Sequence, residues 1–180
     1  MFELKKTVAL VGMMGSGKSA IGKVVSSIID VPFKDADVEI EQAAKLSIPE
    51  IFERHGEKFF RDKEDQIIKR LLHEKCCILA TGGGAFMNKK IRASIKEQGV
   101  SVWLNADLET LWKRVKNKKT RPLLRTYNPK ETLGNIYTDR IKTYSLADII
   151  IDSHDKSSLE EMAKLVIKSL LDRNDLIERA

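Results

Sequence analysis

The sequence predicts an α/β fold with a parallel sheet covered by helices on both faces. Three observations lead there. Short apolar runs alternate with amphipathic helical stretches along the chain, the pattern of successive βαβ units. The first run, TVALV, breaks into glycines and continues as a helical stripe. The 180 residues contain no repeat, low-complexity tract or linker, so one domain with a real core is expected across residues 1–180.

The first strand runs from Thr7 to Val11 and enters GMMGSGKS. That stretch fits G-x-x-x-x-G-K-[ST], with Gly12, Gly17, Lys18 and Ser19 in the fixed places. Glycine permits positive φ and clears side chains from the loop, so successive N–H groups can wrap an anion. The helix that follows aims its free N–H groups and positive dipole end at the same spot. Ile21, Val24, Val25 and Ile28 give that helix its apolar stripe. Lys18 is expected to reach the β/γ-phosphates and the Ser19 hydroxyl to hold Mg²⁺. The bland alternative is an ordinary glycine-rich βα turn, against which pattern and flanking periodicity agree.

The second strand, in VPFKDAD, is short and ends in acids. Helical segments follow over Val38–Lys45 and Pro49–His55. A longer one covers Phe59–Glu74, with Phe60, Ile67, Ile68, Leu71 and Leu72 on one face. CCILA is a strand that stops at Gly82, Gly83 and Gly84. A helix over Lys89–Gln98 leads to the strand VSVWL, and Asp107 caps a helix running towards Lys116. Lys116–Pro129 is polar, basic and broken by Pro122, and reads as mostly loop. Thr132–Tyr144 is helical, ADIIID is the last strand and Ser158–Leu171 the last helix. The charged tail beyond Val166 is expected to fray. Residues 35–61 and 116–129 look like insertions at the ligand-binding edge. Gly12, Asp35, Gly82 and Asp152 all sit at the strand ends where such sites form.

Bulk properties narrow the class. Charged residues make up 32% and apolar residues 42%, which is globular rather than disordered. The net charge of +6 suits any polyanionic ligand, and much of the excess is local: Lys113, Arg114, Lys116, Lys118, Lys119, Arg121 and Arg125. A local cluster argues for a local anion, not for a nucleic-acid footprint. The adjacent Cys76 and Cys77 are poorly placed to pair with each other and read as thiols of a reducing compartment. No apolar stretch reaches the length of a membrane span. Lys5 and Lys6 precede an apolar run that Gly12 cuts too short for a signal peptide. A cytoplasmic protein is expected, and a monomer.

The chemistry-bearing residues come next. Asp107 and Asp152 follow strands as a Walker-B acid would, but a helix cap explains the first and a strand-end turn the second. Three glycines after the buried strand CCILA suggest a ligand approaching the backbone, with a plain tight turn as the alternative. Asp35 and Asp37 form D-x-D, which in an extended segment puts both carboxylates on one face. One could approach Mg²⁺ while the other takes the proton of an attacking hydroxyl; the alternative is a solvated loop in which Asp37 caps the helix of VEIEQAA. Arg121, in TRPLLR, is free to fold over phosphates or to sit in a merely solvated basic loop. Arg61, beside two phenylalanines in FFRDKE, has the fork that suits a carboxylate, with Glu64 three residues on to orient it. Arg140 has Tyr144 four residues later. A surface helix is the alternative for both.

Taken in order, GMMGSGKS, DAD, IFERHGEKFFRDKE, TGGG, RPLL and R-x-x-x-Y make the chain, from about Val8 to Val166, resemble shikimate kinase. The P-loop is widely shared, whereas FFRDKE with TGGG and RPLL is much more specific. The resemblance implies a P-loop NTPase three-layer sandwich on a five-stranded parallel sheet, nucleoside-monophosphate-kinase-like, with a substrate segment at about 35–63 and a lid at about 116–129. It implies transfer of the γ-phosphate of ATP to the 3-hydroxyl of shikimate, on the route to chorismate and the aromatic amino acids. Gly15, Ser16, Gly17, Lys18, Ser19 and Ala20 would then hold ATP, with Arg114 near adenine and Arg121 closing from the lid. Ser19 and Asp35 would hold Mg²⁺, and Asp37 would bind the reacting hydroxyl and act as base. Arg61 and Arg140 would clamp the shikimate carboxylate, and the backbone at Gly83 would touch the substrate. One departure stands out: Lys45 occupies a place where related sequences usually carry glycine, which puts the end of that helix in question. The rivals are another small-molecule kinase of this fold, such as a gluconate kinase, a nucleotide switch or nucleic-acid-associated ATPase, and a kinase-like regulatory protein without turnover. The last is opposed by intact Lys18, Asp37 and Arg121, and a nucleic-acid role leaves D-x-D and TGGG unexplained.

Overall fold

Strands buried on both faces lose the polar alternation of an amphipathic sheet and read as continuous apolar runs. TVALV does so, and all five residues of this strand, β2 (Thr7–Val11), are buried. In the computed structural model, which describes residues 2–118, 121–154 and 156–179, β2 is the centre of the sheet. Around it the chain forms β1 (Phe2–Leu4), α1 (Lys18–Ile29), β3 (Phe33–Asp35), α2 (Ala36–Ala44), α3 (Ile48–Leu72) and β4 (Ile78–Ala80). There follow α4 (Lys89–Gln98), β5 (Gly99–Ala106), α5 (Leu108–Val115), α6 (Pro129–Tyr144), β6 (Ile149–Ser153), α7 (Leu159–Leu171) and β7 (Ile177–Arg179). Short 3₁₀ turns cover Ala85–Met87 and Pro122–Leu124.

The main sheet has five strands in the order β3-β4-β2-β5-β6, all parallel. Alternation along the strands builds two cores. Val8, Leu10, Val100, Val102 and Leu104 pack with α1 and α7 on one face. Ala9, Val11, Leu79 and Trp103 pack with α3, α4, α5 and α6 on the other. The chain leaves β2 into α1 on the first face and leaves its neighbour β4 towards α4 on the second. Connections diverging from adjacent strand ends open a crevice there, the switch point at which ligands bind in such sheets.

Local chemistry sets the boundaries. Ser47 and Glu50 form a reciprocal capping box at the start of α3, Asp107 caps α5 by accepting from the Thr110 amide at 2.8 Å, and Ser158 with Glu161 caps α7. The two helical segments expected at Pro49–His55 and Phe59–Glu74 run on as one element, broken where Gly56 takes φ 80°. Lys45 ends α2 in the left-handed conformation (φ 53°, ψ 33°) that glycine normally supplies.

Contrary to the expectation of fraying, the described residues of the tail continue α7 to Leu171 and end in a strand. β7 pairs antiparallel with β1, Leu4 opposite Ile177, and Leu176 and Ile177 are buried in the core shared with Val8. Two strands of three residues were too short to show a period; apolar burial under α7 decides their structure. Among the described residues no helix is long and apolar enough to cross a membrane.

Candidate functional site

The loop from β2 to α1 takes positive φ at Gly12 (138°), Gly15 (82°) and Gly17 (92°). Side chains are also excluded by space: a Cβ on Gly12 would lie 2.8 Å from the Leu104 carbonyl, and one on Gly15 2.7 Å from Val115. Gly17 is the residue before α1, so the first amides of that helix open into the loop. Lys18 is buried and donates to the Gly12 and Met13 carbonyls at 2.8 and 2.9 Å. Burial brings its pKa down to about 8, against the opposing pull of Asp37.

This loop walls a cleft of about 610 Å³. Gly15, Gly17, Lys18, Ser19 and Ala20 line it together with Arg114 and Arg121. Ser16 is wholly buried beneath, against Gly12. The Arg114 guanidinium donates to the Gly15 carbonyl at 3.3 Å. Ser153, Leu159 and Met162, at the β6–α7 end, carry no local sequence signal; their place beside the cleft depends on tertiary placement alone. Lys119, part of the expected basic lid, lies outside the described residues.

A smaller cleft of about 80 Å³ adjoins it. Asp37, Arg61, Glu64, Gly83 and Arg140 face it, covered by Arg121, Pro122 and Leu123 from the 116–129 segment. Met14, Asp37, Gly83 and Arg121 line both clefts. Ile48 and Phe52 supply an apolar wall that sequence periodicity had no reason to separate from core.

The D-x-D pair is arranged differently from the expectation. Only Asp35 is extended; Asp37 lies in the first turn of α2. Asp35, not Asp37, is the helix cap, its Oδ1 accepting from the Asp37 amide at 3.0 Å. Its Oδ2 accepts from the Ser19 hydroxyl at 2.5 Å. Both acids nevertheless face the larger cleft. Burial, reinforced by Asp35, raises the Asp37 pKa above the ordinary carboxylate value.

The glycine turn after β4 is shaped by packing of side chains as much as by any approaching ligand. A Cβ on Gly82 would meet Glu64 Oε1 at 2.4 Å, and one on Gly84 the Arg61 guanidinium at 2.6 Å. Arg61 donates to Glu64 at 2.8 Å and to Glu57 at 3.1 Å. Glu64 is 1% exposed, and burial raises its pKa despite Arg61. Seven buried side-chain polar atoms among the described residues lack a protein partner, and four of them, on Asp37, Glu64, Arg121 and Arg140, belong to the smaller cleft. Buried polar atoms are nearly always paired, so this concentration marks a place built for a polar ligand.

Ser19 and Asp35 offer a hydroxyl and a carboxylate at the edge of the larger cleft. Mg²⁺ takes hard oxygen donors and needs only one or two from protein when phosphates supply others, so this pair fits that ion. No cluster of three or more metal-binding side chains exists among the described residues.

Known proteins resemble this chain in sequence and fold. A family model described as shikimate kinase matches residues 14–171. A shikimate kinase of Ruegeria pomeroyi is 53% identical over 175 residues, covering 97% of this chain and 90% of its own. A solved shikimate kinase from Acinetobacter baumannii, in complex with shikimate, superposes with a TM-score of 0.90 at 32% identity, covering 94% of each chain. A gluconokinase from Sinorhizobium meliloti matches at a TM-score of 0.54 and 14% identity, over 96% of this chain and 99% of its own, a likeness of fold alone.

Proposed function

This chain belongs to the shikimate kinase family, and on that premise we propose that its joined clefts hold ATP and shikimate side by side, with Asp37 and Arg121 at the junction carrying the transfer. The activity is ATP-dependent phosphorylation of shikimate, a step in aromatic amino acid biosynthesis. The chain acts as one kinase unit over residues 1–180, with a substrate segment at 35–63 and a lid at 116–129.

Lys18 leaves the Gly12 and Met13 carbonyls for the β/γ-phosphates, which accept from the loop amides of Gly15 to Ala20. Arg114 flanks the nucleotide. Ser19 and Asp35 would hold Mg²⁺, which neutralises charge on the β- and γ-phosphates when bound. In the smaller cleft the Arg61 and Arg140 guanidinium groups take the shikimate carboxylate, Glu64 fixing Arg61. The backbone at Gly83 touches the substrate. Asp37 accepts the proton of the 3-hydroxyl as that oxygen forms its bond to Pγ. The bond from Pγ to the bridging oxygen breaks, and ADP departs with the electron pair, giving shikimate 3-phosphate. Arg121 stabilises the charge spread over the transferring group, and closure of its segment excludes water.

The observation that carries this reading is that Asp37 and Arg121 line both clefts. An ADP-release assay tests it: release should require shikimate and should not be supported by gluconate. Release independent of any acceptor, or supported by gluconate, would sink it. A cytoplasmic monomer is part of the proposal, and sedimentation checks the second half.

A further inference from the structure

Tyr144, at the end of α6, lies in the core beneath the smaller cleft. It is 1% exposed. Its ring stacks with Trp103 (centroids 5.8 Å, planes at 22°) and with Phe86 (6.5 Å, 11°). A tyrosine so enclosed must find a partner for its hydroxyl. The partner here is the carbonyl of Gly83, to which it donates. The hydroxyl also lies beside the Arg140 guanidinium, one turn earlier on α6. A phenylalanine would fill the same ring stacks, so packing alone does not account for the hydroxyl.

The Gly83 carbonyl belongs to a planar peptide whose N–H, on Gly84, points the opposite way. A carbonyl tied down towards Tyr144 therefore aims the Gly84 amide away from it. Gly84 lines the smaller cleft, and no described residue accepts from its amide. Lying between two glycines, this peptide is freer to rotate than one flanked by side chains, and the tyrosine restrains it. Burial pushes the phenol up to about 12, so the hydroxyl keeps its proton and remains a donor throughout the working range.

We propose that Tyr144 is a positioning residue for the acceptor: its hydroxyl locks the Gly83–Gly84 peptide so that the Gly84 amide, together with Arg140, is presented to the bound substrate. This rests on reading the smaller cleft as the shikimate site.

Tyr144→Phe keeps both ring stacks and deletes one oxygen. The loss of a buried hydrogen bond should raise KM for shikimate about tenfold, with KM for ATP held within about twofold. A variant whose melting temperature falls while KM for shikimate stays unchanged would make Tyr144 a core residue only and overturn the proposal. Should that variant fail to fold, the wild-type protein answers. Its ten glycines can be labelled with ¹⁵N, and adding shikimate should move the Gly84 amide resonance. An unmoved Gly84 resonance in protein that turns shikimate over overturns the positioning role. Protein that releases no ADP with shikimate overturns instead the reading of the cleft.

Discussion

Arg61→Ala should do two separable things, because Arg61 serves two partners. Towards the cleft it presents donors to a carboxylate; behind, it holds Glu64, a carboxylate 1% exposed whose second oxygen has no partner. Removing one member of a buried pair typically costs about 3–5 kcal/mol, on the order of 10 °C in melting temperature for a chain of this size. Glu64 has a partial escape through protonation, since burial already raises its pKa. A carboxyl whose folded pKa lies above its unfolded value binds more protons in the folded state, so stability is lost as pH rises through the folded value. The deficit of the variant should therefore be smaller near pH 5 than near pH 8. Adding Glu64→Gln removes the uncompensated charge and should recover most of the melting temperature without recovering shikimate affinity. Thermal denaturation across pH, with steady-state kinetics in which each substrate is varied, reads all of this. A single variant of unchanged stability, or a double variant that regains normal KM for shikimate, would refute the reasoning.

Asp37→Asn should reduce turnover by roughly a hundredfold or more without lowering the melting temperature, since a buried carboxylate becomes a neutral amide. In the wild type, kcat/KM for shikimate should climb with pH as Asp37 ionises above the ordinary carboxylate range, and kinetics of the two proteins across pH checks both points. Lys18 deprotonates near pH 8 before nucleotide binds, so ATP affinity measured by calorimetry should be flat below that pH and fall above it, by up to about tenfold per pH unit for one required proton. Lys45→Gly relieves a left-handed backbone at an exposed position and should stabilise the fold by about 0.5–1 kcal/mol, the left-handed strain less the entropy of glycine. A melting temperature that drops instead would show that the Lys45 side chain holds the turn.

The residues legible in the sequence were those whose chemistry is local. The phosphate loop announces itself because three positive-φ glycines, a lysine and a helix start must be contiguous. The Asp107 and Ser158 caps are visible because a cap acts within three residues. β1 and β7 were invisible because their pairing spans the whole chain and each is only three residues long. The D-x-D reading found both acids but took the segment as extended through Asp37, and its alternative put the helix cap on Asp37 instead of Asp35: nothing in the spacing says that β3 stops at Asp35 and that the helix begins one residue later. TGGG pointed to close approach, but the sequence could not reveal that Glu64 and Arg61 are what approach Gly82 and Gly84.

Asp35 shows why the two clefts keep a fixed relation. One oxygen accepts from Ser19 at the start of α1, the other from the amide of Asp37 at the start of α2. A single carboxylate thus ties the helix that begins in the nucleotide cleft to the helix that carries the proposed base. Asp37 itself is left with a buried, unpartnered oxygen, an arrangement that costs stability and persists because α2 cannot swing away while Asp35 holds its first turn. Transfer between oxygens requires the reacting atoms to be aligned within a fraction of an ångström. A base anchored only by its own loop would not meet that demand, whereas one whose amide is fixed by the residue facing the nucleotide does.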